Sequence, residues 1–380
     1  MPFLPLLRPA LLAAAMVAAA PALANQPLAD VDLATFVPSQ TPNNDKIDYS
    51  IWDEAMKNIV ISMGPSLREG AGRPDPSFGT RRQYGHVSRY RLEGTRVMFS
   101  FLDADIIASF TEYRKDLENT ANLVDIQSLS RNEQLAYWIN LHNVALVEQI
   151  ANAWPVRQPR EIKLDGVPLD DARFITVEGI KLSPRDIREK IVYRHWKDPV
   201  VMYGFWRGEI GGPSLQKEAF NADNVARLLV RGAADFVNSL RGTQEGGGRL
   251  QVSEHYREAA PFFFPDFEKD LRAHLANYAE EPVVELLAKT DQTVASIREA
   301  DIADLHGGSR PTRYQPVVSE QGLVTDRPIC TERFGQAACD VLFARSLKLQ
   351  RMQRRDQPTS RVFFSNIDLP GDPPNKNAVQ

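Results

Sequence analysis

The run Ser130-Arg-Asn-Glu-Gln-Leu-Ala-Tyr-Trp-Ile-Asn-Leu-His-Asn-Val-Ala-Leu-Val-Glu-Gln-Ile-Ala-Asn-Ala-Trp154 constrains the fold more than any other stretch of this chain. Ser130-Arg-Asn-Glu133 reads as a capping box, in which the Ser oxygen and the Glu side chain satisfy opposed backbone N–H groups. Pro155 stops the helix. At about 100° per residue, Leu135, Ile139, His142, Leu146 and Ile150 share one stripe. Glu133, Asn140 and Asn143 fall on another, with Ala136 and Val147. Few charges remain on any face, so the helix belongs in the middle of a fold and not on its surface. The expected class is α+β: a mostly helical body around a buried central helix, with a small β-sheet from about 174–182, 200–206 and 249–253.

Other elements follow from their own patterns. Apolar residues at 47, 51, 55 and 59 mark a helix over 47–62, and Leu102, Ile106 and Phe110 one over about 99–119. Residues 64–92 hold glycines, prolines and arginines with little periodicity, a surface excursion. Phe174 to Leu182 reads as a hairpin turning at Glu178-Gly179, and Ser183-Pro184 opens a short helix to about Val192. Pro199 to Trp206 is continuously apolar, as a strand buried on both faces would be. Asn221 is placed to cap a helix to about Leu240. Further helices are expected at about 266–278, 281–289 and 336–354. The last carries Arg345, Lys348, Arg351, Arg354 and Arg355, read as a solvated basic face. Short strands are expected at Tyr314–Val318 and Arg361–Phe364.

The N-terminus reads as an export signal over residues 1–24. Arg8 precedes the apolar run Leu11 to Ala20, and Ala22-Leu23-Ala24 has the small-x-small pattern that signal peptidase cuts, leaving Asn25 first. No cysteine lies near that cut to take a lipid, and no later stretch approaches the ~20 apolar residues of a spanning helix. The expected location is periplasmic or secreted, with no integral membrane segment. In an oxidising compartment the two cysteines, Cys330 and Cys339, read as a disulfide. Closing so short a loop stabilises by roughly 2–3 kcal/mol. The expected organisation is a signal peptide, an extended lead-in at 25–45 and a main domain at 46–300. A C-terminal extension with the disulfide at 301–369 and a disordered tail at 370–380 complete it. A net charge of −4 argues against nucleic acid as partner, which demands a basic surface.

Several ordered features resemble the domain-of-unknown-function family 547. They are Asn132-Glu133 with Trp138-Ile-Asn140-x-x-Asn143, the hairpin with its Leu-Ser-Pro-Arg-Asp-Ile-Arg-Glu helix, the apolar run, a turn ending Pro-x-Leu, and Ala-Phe-Asn-Ala-Asp-Asn opening a helix. The resemblance covers about 122–267, with a weaker echo at Ile47-Asp-Tyr49. Many family members carry a Ser-Cys-Pro-Pro-Leu turn after the apolar run. Here the corresponding residues are Gly211-Gly212-Pro213-Ser214-Leu215, and the cysteine position falls at Gly212. A thiol there would be an activated nucleophile. Glycine cannot do that chemistry, so thiol activity does not carry over.

Ser214 could replace that thiol only with a base in reach, and the candidate is His255, just past an expected strand end at Ser253, with Glu133 or Asp223 as the acid. The bland reading of His142 is a satisfied core histidine. That of Glu133, Asn140 and Asn143 is a helix cap and buried amides tied to loop backbone, with the Gly208–Leu215 turn as the expected partner; the functional reading makes Asn140 and Asn143, with Gly211 and Gly212, the floor of a binding pocket. The six histidines, His86, His142, His195, His255, His274 and His306, show no metal-ligand spacing. No nucleotide-binding glycine motif is present, and no cofactor is expected. Two function classes remain. One is a non-catalytic envelope protein that binds a small molecule, peptide, glycan or partner protein through the cleft near the glycine turn. The other is a hydrolase-like enzyme using Ser214 or His255.

Overall fold

The structure, a computed structural model, describes residues 33, 35–72, 86–311 and 334–355, with 357 and 359. Its class is α+β, with the helix α3 (Arg131–Ala153) at the centre. Of its 23 residues, 18 are buried, including Glu133, Asn140, His142, Asn143 and Glu148. Around it lie α1 (Ser50–Ile59), α2 (Ala104–Leu123), α5 (Val225–Val237), α6 (Glu254–Phe263), α7 (Phe267–Ala276) and α8 (Glu281–Lys289). The chain enters α2 through the Asp103 carboxylate, which accepts from Ile106 N–H at 3.0 Å. Tyr137 of α3 donates its hydroxyl to the Leu117 carbonyl of α2 at 3.1 Å, and Arg114 pairs with Glu148 between the same helices.

The strands are short and scattered. β1 (Val60–Ser62) continues directly from α1 and pairs antiparallel with β2 (Thr95–Val97). β3 (Lys163–Leu164) and β4 (Val167–Pro168) form a hairpin, as do β5 (Ile175–Val177) and β6 (Ile180–Leu182), the latter turning at Glu178-Gly179 as expected. A three-stranded sheet joins β7 (Thr243–Gly246), β8 (Arg249–Ser253) and β9 (Thr293–Ile297). β7–β8 is antiparallel and β8–β9 parallel.

The expected common sheet does not exist, because 199–204 is a 3₁₀ helix and not a strand. Its cause is local. Asp198 accepts from Val200 N–H at 2.9 Å, and Pro199 occupies the first turn, where its missing N–H costs nothing. An apolar run of this length cannot be told from a buried helix by periodicity alone.

Ser183 does open a helix. Its hydroxyl accepts from Asp186 N–H at 3.0 Å while the Asp186 carboxylate accepts from Ser183 N–H at 3.1 Å. The element is a π-helix (Asp186–Val192) running into α4 (Tyr193–His195), a wide coil that places Arg188 beside α3.

The C-terminal helix α9 (Gly335–Arg354) forms a second small core with Met63, Leu305, Ala338, Val341 and Leu342. Its basic face is not simply solvated. Lys348 is buried and donates to the Leu92 carbonyl at 2.6 Å, Arg345 donates to the Ser62 carbonyl at 2.6 Å, and Arg351 and Arg355 each meet Glu69 at 3.3 Å. Residues 301–306 thread the main body, with Ile302 N–H donating to the Arg157 carbonyl and Leu305 N–H to Val97. Cys339 is buried in α9; Cys330, the strands expected at 314–318 and 361–364, the residues of the export signal and the tail from 370 lie outside the described residues. Among the described residues no helix is long and apolar enough to cross a membrane.

Candidate functional site

The polar residues of α3 divide into two groups. At its start, Ser130 accepts from Glu133 N–H at 3.3 Å, half of the expected capping box. The Glu133 carboxylate does not turn back to Ser130. It accepts from Ile47 N–H and Ala222 N–H, each at 2.9 Å, stapling the lead-in and the loop before α5 to α3. Burial pushes the Glu133 carboxyl above its usual range, and those two donors oppose the shift. Asp223 is exposed and pairs with Lys46 at 2.7 Å.

Two turns on, Asn140 donates to the Phe220 carbonyl at 2.7 Å and accepts from Phe220 N–H at 3.1 Å. Asn143 donates to the Gly204 carbonyl at 2.9 Å and accepts from Trp206 N–H at 3.1 Å. Both amides are spent on loop backbone, as the buried-helix reading requires. The segments they hold flank the Gly208–Leu215 turn instead of forming it.

His142 begins the second group. It is fully buried, edge-on to Phe205 with centroids 4.9 Å apart. Arg188 Nη1 lies 3.0 Å from its Nε2 and can only donate, so Nε2 is the acceptor and Nδ1 carries the proton toward Asn143 Oδ1, 3.0 Å away. Burial and Arg188 hold this imidazole neutral, its pKa well below the ordinary value. Arg188 in turn grips Asp170 through both nitrogens, at 2.7 and 2.8 Å. Asp170 also accepts from Arg207 at 3.0 Å, and Arg207 donates to Glu258 at 2.8 Å. Although burial alone would raise it, Arg188 and Arg207 pull the Asp170 carboxyl below the usual range. Glu258 is likewise held down to about 2, chiefly by Arg207 against the opposing effect of burial.

This relay ends in a cavity of about 260 Å³ lined by residues including Arg160, Asp170, Arg185, Arg207, Glu258 and His255. His255 sits at the start of α6, which Ser253 caps through the His255 N–H at 3.3 Å. Its Nδ1 lies 4.0 Å from Glu258 and its side chain is 14% exposed. Burial pushes its pKa down to about 4, assisted by Arg207, Arg188 and Arg160 and opposed by Glu258. Gly212 approaches the same imidazole: a Cβ there would lie 3.2 Å from His255 Nε2. Gly211 is a close-approach glycine whose Cβ would lie 2.5 Å from the Glu299 carbonyl oxygen.

Ser214 is placed differently. Its hydroxyl donates to Asp235 at 2.8 Å and accepts from Arg241 at 2.8 Å, next to a second cavity lined by Lys217, Glu218 and Arg231. The expected Ser214–His255 hydrogen bond is not formed, and neither Glu133 nor Asp223 stands beside His255: within the glycine turn Gly212 lies against His255, while Ser214 lines the other cavity with Asp235.

Asp170, Arg188, Arg207 and Glu258 were not singled out in the sequence. They come from four separate segments, and only the spacing of Glu258 three residues after His255 offers a local signal. Among the described residues no group of three or more His, Cys, Asp or Glu could hold a metal ion. Residues 126–237 match the family described as "Protein of unknown function, DUF547". No curated protein and no solved structure matches the chain.

Proposed function

We propose that this chain, a member of the DUF547 family through residues 126–237, is an exported envelope protein that binds a short peptide without catalysis in the Arg207–Glu258–His255 cavity. The observation that carries the reading is a cavity lined by both guanidinium groups (Arg160, Arg185, Arg207) and carboxylates (Asp170, Glu254, Glu258), with the neutral imidazole of His255 among them. A peptide presents an ammonium and a carboxylate within a few ångströms, and each finds an opposite charge there. A glycan would favour aromatic platforms, and no aromatic ring other than His255 lines this cavity. The apolar run at 11–20 and Ala22-Leu-Ala24 support export with cleavage after Ala24, and an oxidising envelope would suit a Cys330–Cys339 disulfide.

A hydrolase centred on Ser214 is the second reading. Its hydroxyl would first have to leave Asp235 and Arg241. The test is a thermal-shift screen with a panel of di- and tripeptides, beside an assay with p-nitrophenyl acetate. Binding at a hundredfold excess over Kd stabilises by about 2.7 kcal/mol, a rise of a few degrees. The reading expects such a rise, lost in Glu258→Ala, with no ester turnover above the Ser214→Ala background. A flat panel with Ser214-dependent turnover would overturn it.

A further inference from the structure

The glycines of the turn are not equivalent. Gly208 has φ +78° and its Cβ would fall 2.4 Å from Ile150 Cδ1, while Gly211 is pressed against the backbone of Glu299. Neither could carry a side chain without moving its neighbours. Gly212 has no left-handed φ, and the first atom its Cβ would meet is His255 Nε2 at 3.2 Å, followed by Cε1 at 3.6 Å and Arg207 Cβ at 3.7 Å. A side chain at 212 therefore meets no backbone strain, but the imidazole must give by a few tenths of an ångström, and the side chain would stand against that ring.

His255 is arranged as a base. Its main-chain N–H is fixed by Ser253, its Nδ1 faces Glu258, and among the described residues no protein group hydrogen-bonds Nε2. The charges around it are Glu258 on its own helix, Arg207 from the segment after the 3₁₀ turn, Arg188 from the π-helix and Arg160 from the segment before β3, with Glu254 and Arg298 paired at the rim. We infer that the Gly212–His255–Glu258 corner is a nucleophile site that lacks only its nucleophile, and that a thiol placed at position 212 becomes reactive toward soft electrophiles. The inference deepens the binding reading and rests on the same cavity. The native chain, with no side chain at 212, takes a hydrogen-bond donor of its ligand against Nε2 and forms no bond to it.

Iodoacetamide is the probe. In Gly212→Cys the thiol proton passes to His255 Nε2, the sulfur attacks the methylene carbon, the S–C bond forms, the C–I bond breaks and iodide leaves with its electron pair. Alkylation followed by mass spectrometry from pH 5 to 9 is compared with N-acetylcysteine under the same conditions. The expected profile has its midpoint at least one pH unit below the usual thiol value of about 8.5. At pH 6 the rate is at least tenfold above the reference, and Gly212→Cys/His255→Ala moves the midpoint back upward. A profile that coincides with N-acetylcysteine, or that His255→Ala leaves unmoved, overturns the inference. If Gly212→Cys does not fold, diethyl pyrocarbonate on the native protein decides. His255 is expected to be labelled at Nε2 before the sealed His142 and His274, and failure to label it overturns the inference equally. A peptide panel that never binds leaves both results standing, so the two failures are distinguishable.

Discussion

Asn140 and Asn143 each close a pair of hydrogen bonds on a loop peptide that has no other way to be satisfied in the interior. Replacing Asn140 by Leu strands Phe220 N–H and C=O, at about 1–3 kcal/mol for each unpaired group. Asn143→Leu also strips His142 Nδ1 of its acceptor, so its melting temperature is expected to fall further than that of Asn140→Leu. Far-UV circular dichroism at low temperature should stay unchanged in both; a melting point unmoved by Asn140→Leu would contradict the assignment. The sequence made the two amides legible because a polar pair three residues apart on an apolar helix must find partners. Which partners they find depends on where residues 204–206 and 220 lie in space, and the nearer-seeming glycine turn was the wrong choice. Glu133 shows the same limit. Its cap spacing is local, but Ile47 and Ala222 reach its carboxylate only through the fold.

The elements around α3 are held by close approach more than by propensity. Gly204, at the end of the 3₁₀ segment, lies between α3 and α5: a Cβ there would meet Ile139 Cδ1 at 2.7 Å and Leu229 Cδ2 at 3.0 Å. Its φ is not left-handed, so Gly204→Ala adds only volume, and overpacking of this kind costs about 1–3 kcal/mol. Chemical denaturation should show that loss, and Gly204→Ala/Ile139→Val should recover part of it. A neutral Gly204→Ala would show that the two helices do not wedge on this residue. The length and burial of α3, the 175–182 hairpin and the helices at 267–276 and 281–289 were all readable from pattern. The 199–204 turn was not, because its capping signal, Asp198-Pro199, is two residues long beside a longer apolar run. Residues 254–263 form a further helix that the pattern reading does not include, capped by Ser253 and carrying Pro261 inside it.

Among the described residues, His86, His142 and His274 are buried and His255 half-buried, and all four are held neutral. Burial, with Arg96 beside it, takes His86 down to about 3, and burial takes His274 to about 4. His255 is held at about 4 and His142 also well below its usual value. Their folded pKa values lie below the unfolded value of about 6.5. The unfolded chain therefore binds protons first as the pH falls. Stability is full above about pH 6.5 and is lost toward about pH 4, at about 1.4 kcal/mol per pH unit for each histidine. Carboxyls raised by burial, Glu133 and Asp304 among them, act in the opposite sense at the acid end. His274→Gln keeps a partner for the Tyr203 hydroxyl, now 2.9 Å from His274 Nε2, and removes one titration. Its stability measured by urea between pH 6 and 4.5 should fall less steeply than the native protein's by about 1.4 kcal/mol per pH unit. Equal slopes would mean that His274 is protonated in the fold.

The relay from His142 to His255 was out of reach of the sequence because its charges sit on four elements that only the tertiary structure assembles. Imidazole NMR titration of the native protein, with the His255 signal assigned by His255→Asn, measures the site directly. The account predicts a neutral imidazole at pH 7 with a midpoint near about 4, and a shift of that resonance alone among the buried histidines when the peptide panel is added. A midpoint near the usual value of about 6.5, with no response to any peptide, would contradict it.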